Sequence, residues 1–269
     1  MRAHGLPSAS RAVGCLLVAI VLGAAGAEPA AAEPDQRRGA PRGAQPADSP
    51  DFWFGAPRGS VRVHVGRLFA RNGSDLFDFL FDQFTLEEDA FDAPAFGVDV
   101  GVALTPRADA RFGVDVSRTS KTSEYRDFVD SDGIPILQDT ELTGVDISGS
   151  VKLYVTPRGR QISRLAWIPN AVAPYVGGGA GAVWYRFEQR GDFVDFVDLS
   201  VFASRFESSG WAPSAHVFGG ADINMWKRLF LALEARYLWA DAELGRDFSG
   251  FEPIDLSGLR LSVGVNVAF

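Results

Sequence analysis

Apolar and polar side chains alternate with a period of two in run after run, the connections alternate in length, and the chain ends on an aromatic residue. Together these predict an all-β chain closing as an eight-stranded antiparallel up-and-down transmembrane β-barrel. The alternation is strictest in the last run, Leu256 to Phe269. There Leu259, Leu261, Val263, Val265, Val267 and Phe269 share one face, against Gly258, Arg260, Ser262, Gly264, Asn266 and Ala268. A period of two puts these sets on opposite faces of a strand. In hydrocarbon every backbone N–H and C=O needs an internal partner, so such a strand must pair on both edges and the sheet must close on itself.

The earlier runs supply the other strands. Ser60 to Ala70 sets Val61, Val63 and Val65 against Arg62, His64 and Gly66, and Ala95 to Leu104 sets Phe96, Val98, Val100 and Val102 against Gly97, Asp99 and Gly101. Arg111 to Arg118 places Phe112, Val114 and Val116 outward, with Arg111, Gly113 and Asp115 inward. Leu142 to Val155 opposes Val145, Ile147, Val151 and Leu153 to Asp146, Ser148, Ser150, Lys152 and Tyr154. In Ala173 to Phe187 the glycines from Gly177 to Gly181 dilute the pattern; the register chosen turns Tyr175, Gly179 and Gly181 inward. Trp211 to Met225 and Leu229 to Trp239 form a hairpin with His216, Asp222, Glu234 and Arg236 inside. Gly177-x-Gly179-x-x-Ala182 loosely matches a dinucleotide fingerprint, but strand follows it where that fingerprint needs a helix.

The 269 residues are 46% hydrophobic, with no apolar span near twenty residues outside the N-terminus. Residues 1–27 read as a signal peptide: Arg2 and Arg11, then an apolar run from Cys15 to Ala25, then cleavage after Ala27 or Ala32. Residues 28–58 read as a disordered, Pro/Ala/Arg-rich periplasmic leader containing Arg37, Arg38 and Arg42, with Phe52-Trp53-Phe54 beginning the ordered part. Residues 59–269 are the barrel. Cys15 is the only cysteine, so disulfides and thiolate metal sites are excluded from the exported chain. The formal net charge is −8, and no nucleic-acid partner is expected.

Connections at Arg71 to Pro94, Thr119 to Glu141, Glu188 to Gly210 and Asp241 to Asp255 are long. Those at Thr105 to Ala110 and Trp226 to Arg228 are short, as outer loops and periplasmic turns should be. Thr156 to Val172 departs from this: it should be a periplasmic turn, yet it is long and carries Arg158, Arg160, Arg164 and Trp167, a composition suited to the inner lipid surface.

The signal peptide, the eight alternating runs, Pro174-Tyr175-Val176-Gly177 and the terminal Val267-Ala268-Phe269 resemble the small OmpA/OmpX-like outer-membrane barrel family over Gly59 to Phe269. The resemblance implies an outer-membrane location, contact with outer-membrane lipid and lipopolysaccharide, and a monomer. It also implies that Phe269 is the assembly signal read by the barrel-insertion machinery. Because that family includes structural, adhesive and resistance proteins as well as lipid-modifying enzymes, it fixes no activity.

An eight-stranded barrel is about wide enough inside for side chains to fill it. The inward charges form a candidate network: Asp99, Asp115, Asp146, Asp222 and Glu234 against Arg62, Arg111, Lys152, Arg236 and Arg260. Equal numbers of opposite charge predict a salt-bridged plug. No nucleophile elbow, zinc-protease helix or phosphate loop is present, and His64 and His216 point inward, so no enzymatic activity and no cofactor are expected. The first and third loops interleave Asp75, Asp78, Asp82, Glu87, Glu88, Asp89 and Asp92, and then Asp192, Asp195 and Asp198, with phenylalanines. This predicts a surface role through acidic, Phe-rich loops, with divalent cations as candidate partners. Asp130 and Asp132 are weak Ca²⁺ candidates beside the simpler reading of an Asx turn. Two rival functions remain: passage of small hydrophobic molecules, as in OmpW-like barrels, which needs a lateral opening or an apolar lumen, and lipid modification, which needs a Ser/His/acid cluster at the outer rim.

Overall fold

The computed structural model describes residues 53–130, 132–163, 166–195 and 197–269; the signal peptide, nearly all of the leader, Arg164 and Phe196 lie outside them. Eight strands form the barrel: β1 (Gly59–Ala70), β2 (Ala93–Thr105), β3 (Ala108–Val129), β4 (Pro135–Tyr154), β5 (Val172–Val194), β6 (Val201–Trp226), β7 (Leu229–Trp239) and β8 (Gly258–Ala268). Each pairs antiparallel with its sequence neighbours, and β8 pairs with β1 (Val263 opposite Val65, Asn266 opposite Arg62), which closes the ring. No sheet edge is left within the closed portion, as a hydrocarbon surround demands.

The alternation holds as read. Val98, Val100, Val102 and Leu104 of β2 and Leu261, Val263, Val265 and Val267 of β8 are exposed, while Arg62, His64, Asp99, Asp115, His216 and Arg260 are buried. Nine residues from Leu259 to Val267, rising about 3.3 Å each and tilted as barrel strands are, span roughly 23 Å, the height of a transmembrane apolar band. Aromatic residues bracket this belt. Trp184 faces its neighbour Trp211 across β5 and β6, and Tyr237 and Trp239, their ring centroids 4.8 Å apart, stand at the same end; Trp226 and Phe269 are exposed at the other, where the chain terminates.

Three expectations about the connections need correction. The second and third long loops are mostly strand: β3 runs on to Val129 and β4 starts at Pro135, and β5 reaches Val194 before β6 starts at Val201. The sequence hid this because the outward face beyond the belt meets water, so Ser120, Thr122 and Glu124 alternate with Thr119, Ser123 and Tyr125 and the apolar period vanishes. The extended β3–β6 wall carries surface ladders such as Arg118–Glu141 at 2.7 Å and Arg205–Glu188 at 2.8 Å.

Second, the first long connection carries regular structure and a core of its own. It contains a helix α1 (Asp75–Gln83) with Asp75 and Asp78 in its first turn, where the helix dipole favours negative charge. Leu76, Phe77 and Leu80 lie on one face by the i, i+3, i+4 rule and bury completely, joined by Phe84, Leu86 and Phe91. They pack with Tyr125 and Ile136 of the wall and with Phe248 and Ile254 of the β7–β8 connection into one apolar core over the distal mouth. Phe77 meets Phe91 edge-on at 4.7 Å, Phe84 meets Tyr125 at 4.4 Å and Phe79 meets Phe251 at 5.5 Å. Most carboxylates of this loop face water while the central rings face inward.

Third, Thr156 to Val172 is not an irregular stretch but carries paired strands. Gly159–Gln161 pairs with Ala166–Pro169, and the backbone of Trp53–Phe54 adds a further strand to give a three-stranded sheet at the terminal end. Trp167 is buried against Phe230 and Ala268 beneath the barrel.

Candidate functional site

The best-defined chemical feature is the lumen. Small residues make the room for it: a Cβ on Gly97 would collide with the Asp115 carboxylate and the His64 ring, and one on Gly113 with Asp99. At the centre, Glu234 of β7 accepts hydrogen bonds from Arg62 at 2.9 and 3.2 Å, Arg111 at 2.7 and 3.4 Å, Arg236 at 3.1 Å and the Tyr175 hydroxyl at 3.1 Å. Arg62 also donates to Asp99 at 2.6 Å. Three guanidiniums on one carboxylate are tolerable only because each finds a second partner. For Arg62 that is Asp99, for Arg236 it is Asp115 at 3.1 Å, and for Arg111 it is the face of Phe218 at 4.3 Å.

Asp115 is the second centre. His64 Nε2 lies 2.6 Å from its Oδ1, and Arg260 Nη1 approaches the same oxygen at 2.7 Å. The Arg260 contact is an ion pair by distance without hydrogen-bond geometry, and His64 Nδ1 lies 3.4 Å from Asp99, likewise without hydrogen-bond geometry. Asp146 accepts from Ser148 and Ser214 at 3.2 Å each. Toward the terminal end, Lys152 donates to Asp222 at 2.6 Å and sits 3.6 Å from the centroid of the Tyr175 ring. Tyr154 donates to Asp222 at 2.9 Å, and Arg158 pairs with Asp109 at 3.2 Å.

All ten charges of the sequence network are therefore buried in the lumen, in two linked groups around Glu234 and Asp115 and a third around Lys152 and Asp222. Asp109 and Arg158 were missed. Asp109 has the parity of Arg111, Gly113 and Asp115 and was legible as inward, but the run was begun two residues late; Arg158 comes from the irregular connection and carried no periodic signal. His216 is buried as expected, stacked near Phe218 at 5.9 Å, and neither ring nitrogen reaches a protein partner.

Trp167 packs with Phe230 and Ala268 at the terminal end of the charged lumen, and the apolar core of α1 and the wall lies at the other end, separated from the charges by a cavity of about 40 Å³ between Asp115, Asp146 and Arg260 on one side and Phe77, Leu142 and Val183 on the other. That volume holds water molecules, not a solute. Asp130 Oδ1 accepts from the amides of Asp132 at 2.9 Å and Ile134 at 2.8 Å, which is an Asx turn. Among the described residues no three His, Cys, Asp or Glu side chains cluster as a metal site. Phe269 is fixed by its backbone: its carbonyl oxygen accepts from Arg58 and Gly59 at 2.8 Å, and its amide donates to Gly59 at 2.9 Å.

Comparison with known proteins finds remote likenesses in shape. Neisserial surface protein A is 14% identical with a TM-score of 0.41, covering 78% of this chain and 97% of that one. Ail, the attachment invasion locus protein of Yersinia pestis, is 13% identical with a TM-score of 0.38, over 78% and 99%. Outer membrane protein W of E. coli is 13% identical with a TM-score of 0.32, over 80% and 98%. No family model matches the chain, and no curated protein matches it significantly.

Proposed function

We propose that this chain is a non-enzymatic outer-membrane β-barrel whose lumen is sealed and whose work is done at the surface it raises above the membrane. The terminal end is then periplasmic and the wall with its cap extracellular. The observation that carries this reading is the lumen itself: paired charges fill it, Trp167 lies below and an aromatic core lies above. A path for small hydrophobic molecules needs a continuous apolar bore, and here the apolar part stops on Asp115, Asp146 and Arg260. A lipid-modifying site needs a nucleophile and base at the outer rim, whereas His64 and His216 are both deep in the lumen. The belt supplies the anchor, and outer-membrane lipid and lipopolysaccharide are its surroundings.

The test is conductance. Purified protein in planar bilayers is expected to give no stable ion steps, because the paired side chains leave no continuous water column. Reproducible steps from material free of porins would overturn the sealed reading.

A further inference from the structure

Beyond the belt the strands of the wall continue for about eleven residues from Arg118 to Val129, which carries the hairpin tips roughly 25–30 Å away from the lipid at barrel tilt. Water surrounds such tips, and the side chains expected there are polar. Yet Val129, Ile134 and Leu137 on the β3–β4 hairpin are 61%, 57% and 52% exposed, and Val197, Leu199 and Phe202 on the β5–β6 hairpin are 94%, 63% and 42% exposed. The two hairpins are neighbours, paired as far as Gln138 and Gly191, and Gln138 Nε2 also donates to the Asp192 carbonyl at 3.1 Å. Both tips therefore present apolar side chains from adjoining strands, far from the hydrocarbon that explains the exposed residues of the belt.

The tips are built rather than loose. Asp130 closes the first through its Asx turn. In the second, Asp195 Oδ1 accepts from Val197 N at 2.8 Å and Asp198 Oδ1 from Ser200 N at 3.0 Å; the Ser200 amide holds the Asp198 carboxyl below its ordinary value. Leu199 is held at φ 62°, a left-handed conformation that favours glycine and is uncommon for a leucine.

The charge exposed at the two tips is predominantly acidic: Asp127, Asp132, Asp192, Asp195 and Asp198 are exposed, while the adjoining cations are already engaged, Arg126 on the carbonyls of Phe81 and Leu86, Arg190 on Asp139, and Arg205 on Glu188 and Glu207. Anionic headgroups and nucleic acid are repelled by such a rim, and so is a second copy of the same tip. An apolar patch bordered by carboxylates fits a polypeptide that joins an apolar face to lysines or arginines.

We propose that the paired tips of the β3–β4 and β5–β6 hairpins are a docking surface for a basic, amphipathic polypeptide segment. This rests on the reading of the wall as extracellular. Turns pre-ordered by Asp130, Asp195 and Asp198 lower the ordering cost of binding, and the rim carboxylates steer a cationic partner to the apolar centre.

The experiment uses the full chain in lipid nanodiscs and a fluorescent synthetic helix of leucine and lysine, read by anisotropy. A leucine/glutamate helix and a serine/lysine helix are the controls. The leucine/lysine helix is expected to bind the unaltered protein at least tenfold more tightly than it binds the variant carrying Val197→Ser, Leu199→Gly and Phe202→Ser. It should bind severalfold more tightly than to the variant with Asp127→Asn, Asp132→Asn and Asp192→Asn, and neither control helix should match it. Because each variant sits in the same nanodiscs, binding to lipid cancels. Equal binding to all three proteins, or equal binding of the leucine/glutamate helix, would overturn the proposal, as would tip-dependent dimers in sedimentation. Failure to enter nanodiscs as a folded, heat-modifiable band would instead count against the membrane reading, and the same peptide comparison in detergent would still decide the docking surface.

Discussion

Glu234→Gln keeps the shape of the most highly coordinated side chain in the lumen and removes its charge. Of its three guanidinium partners, Arg62 retains Asp99 and Arg236 retains Asp115. Arg111, among the described residues, has no other carboxylate within ion-pair distance and keeps only the Phe218 face at 4.3 Å. The loss therefore reduces chiefly to one buried cation without a counter-ion, which costs about 3–5 kcal/mol; the Phe218 contact is common to both proteins and does not change the difference. A loss of roughly 3–5 kcal/mol is expected. Arg111→Met in the same background removes the stranded charge, and the double variant is expected to be more stable than Glu234→Gln alone by about 1–2 kcal/mol. Urea unfolding in lipid vesicles, followed by tryptophan fluorescence in both directions, measures this. A loss under about 1 kcal/mol for the single variant, or strictly additive losses in the double, would refute the claim that the network is coupled through Glu234.

Phe77→Ala empties the centre of the apolar cap and is expected to weaken that cap by about 3–5 kcal/mol. Protease should then cut within residues 75–92 at least tenfold faster while the barrel transition barely moves, and in the unaltered protein those residues should resist protease with or without Ca²⁺. Deleting Phe269 removes three backbone hydrogen bonds to Arg58 and Gly59, whereas Phe269→Tyr keeps them. The deletion should lower outer-membrane yield severalfold and the Tyr variant should not; equal yields would show that neither the ring nor those bonds matter to assembly.

The belt was legible almost to the residue because an apolar outer face on one side and a packed polar lumen on the other follow a strict period of two. Even the glycine-diluted β5 had its register right, with Tyr175 in and Val176 out. The charge network was legible for the same reason: ten inward charged residues share a parity, and parity alone set them facing one another. What the pattern could not supply was the partner list, since Glu234 meets Arg62 from β1 and Arg111 from β3 only through ring closure. Above the belt the signal failed. Wall residues such as Thr122 and Glu124 face water on one side and an irregular apolar core on the other, so neither face has a uniform solvent to select it. α1 is a separate case: Leu76, Phe77, Leu80 and Phe84 have helical spacing, but the surrounding acids and the expectation of a loop masked it. Trp167 lay in an aperiodic connection, and only the fold shows it beneath the barrel.

The most direct test of the account is the environment of alternate residues on β8. With the leader and Cys15 removed, single cysteines at positions 261 to 266, each carrying a fluorophore or spin label, report contact with doxyl-labelled acyl chains. Labels at Leu261, Val263 and Val265 are expected to be quenched strongly by lipid, and labels at Ser262, Gly264 and Asn266 to be shielded from both lipid and water. Quenching that is uniform along the strand, or strong on the Ser262, Gly264 and Asn266 face, would contradict a sealed barrel in a membrane.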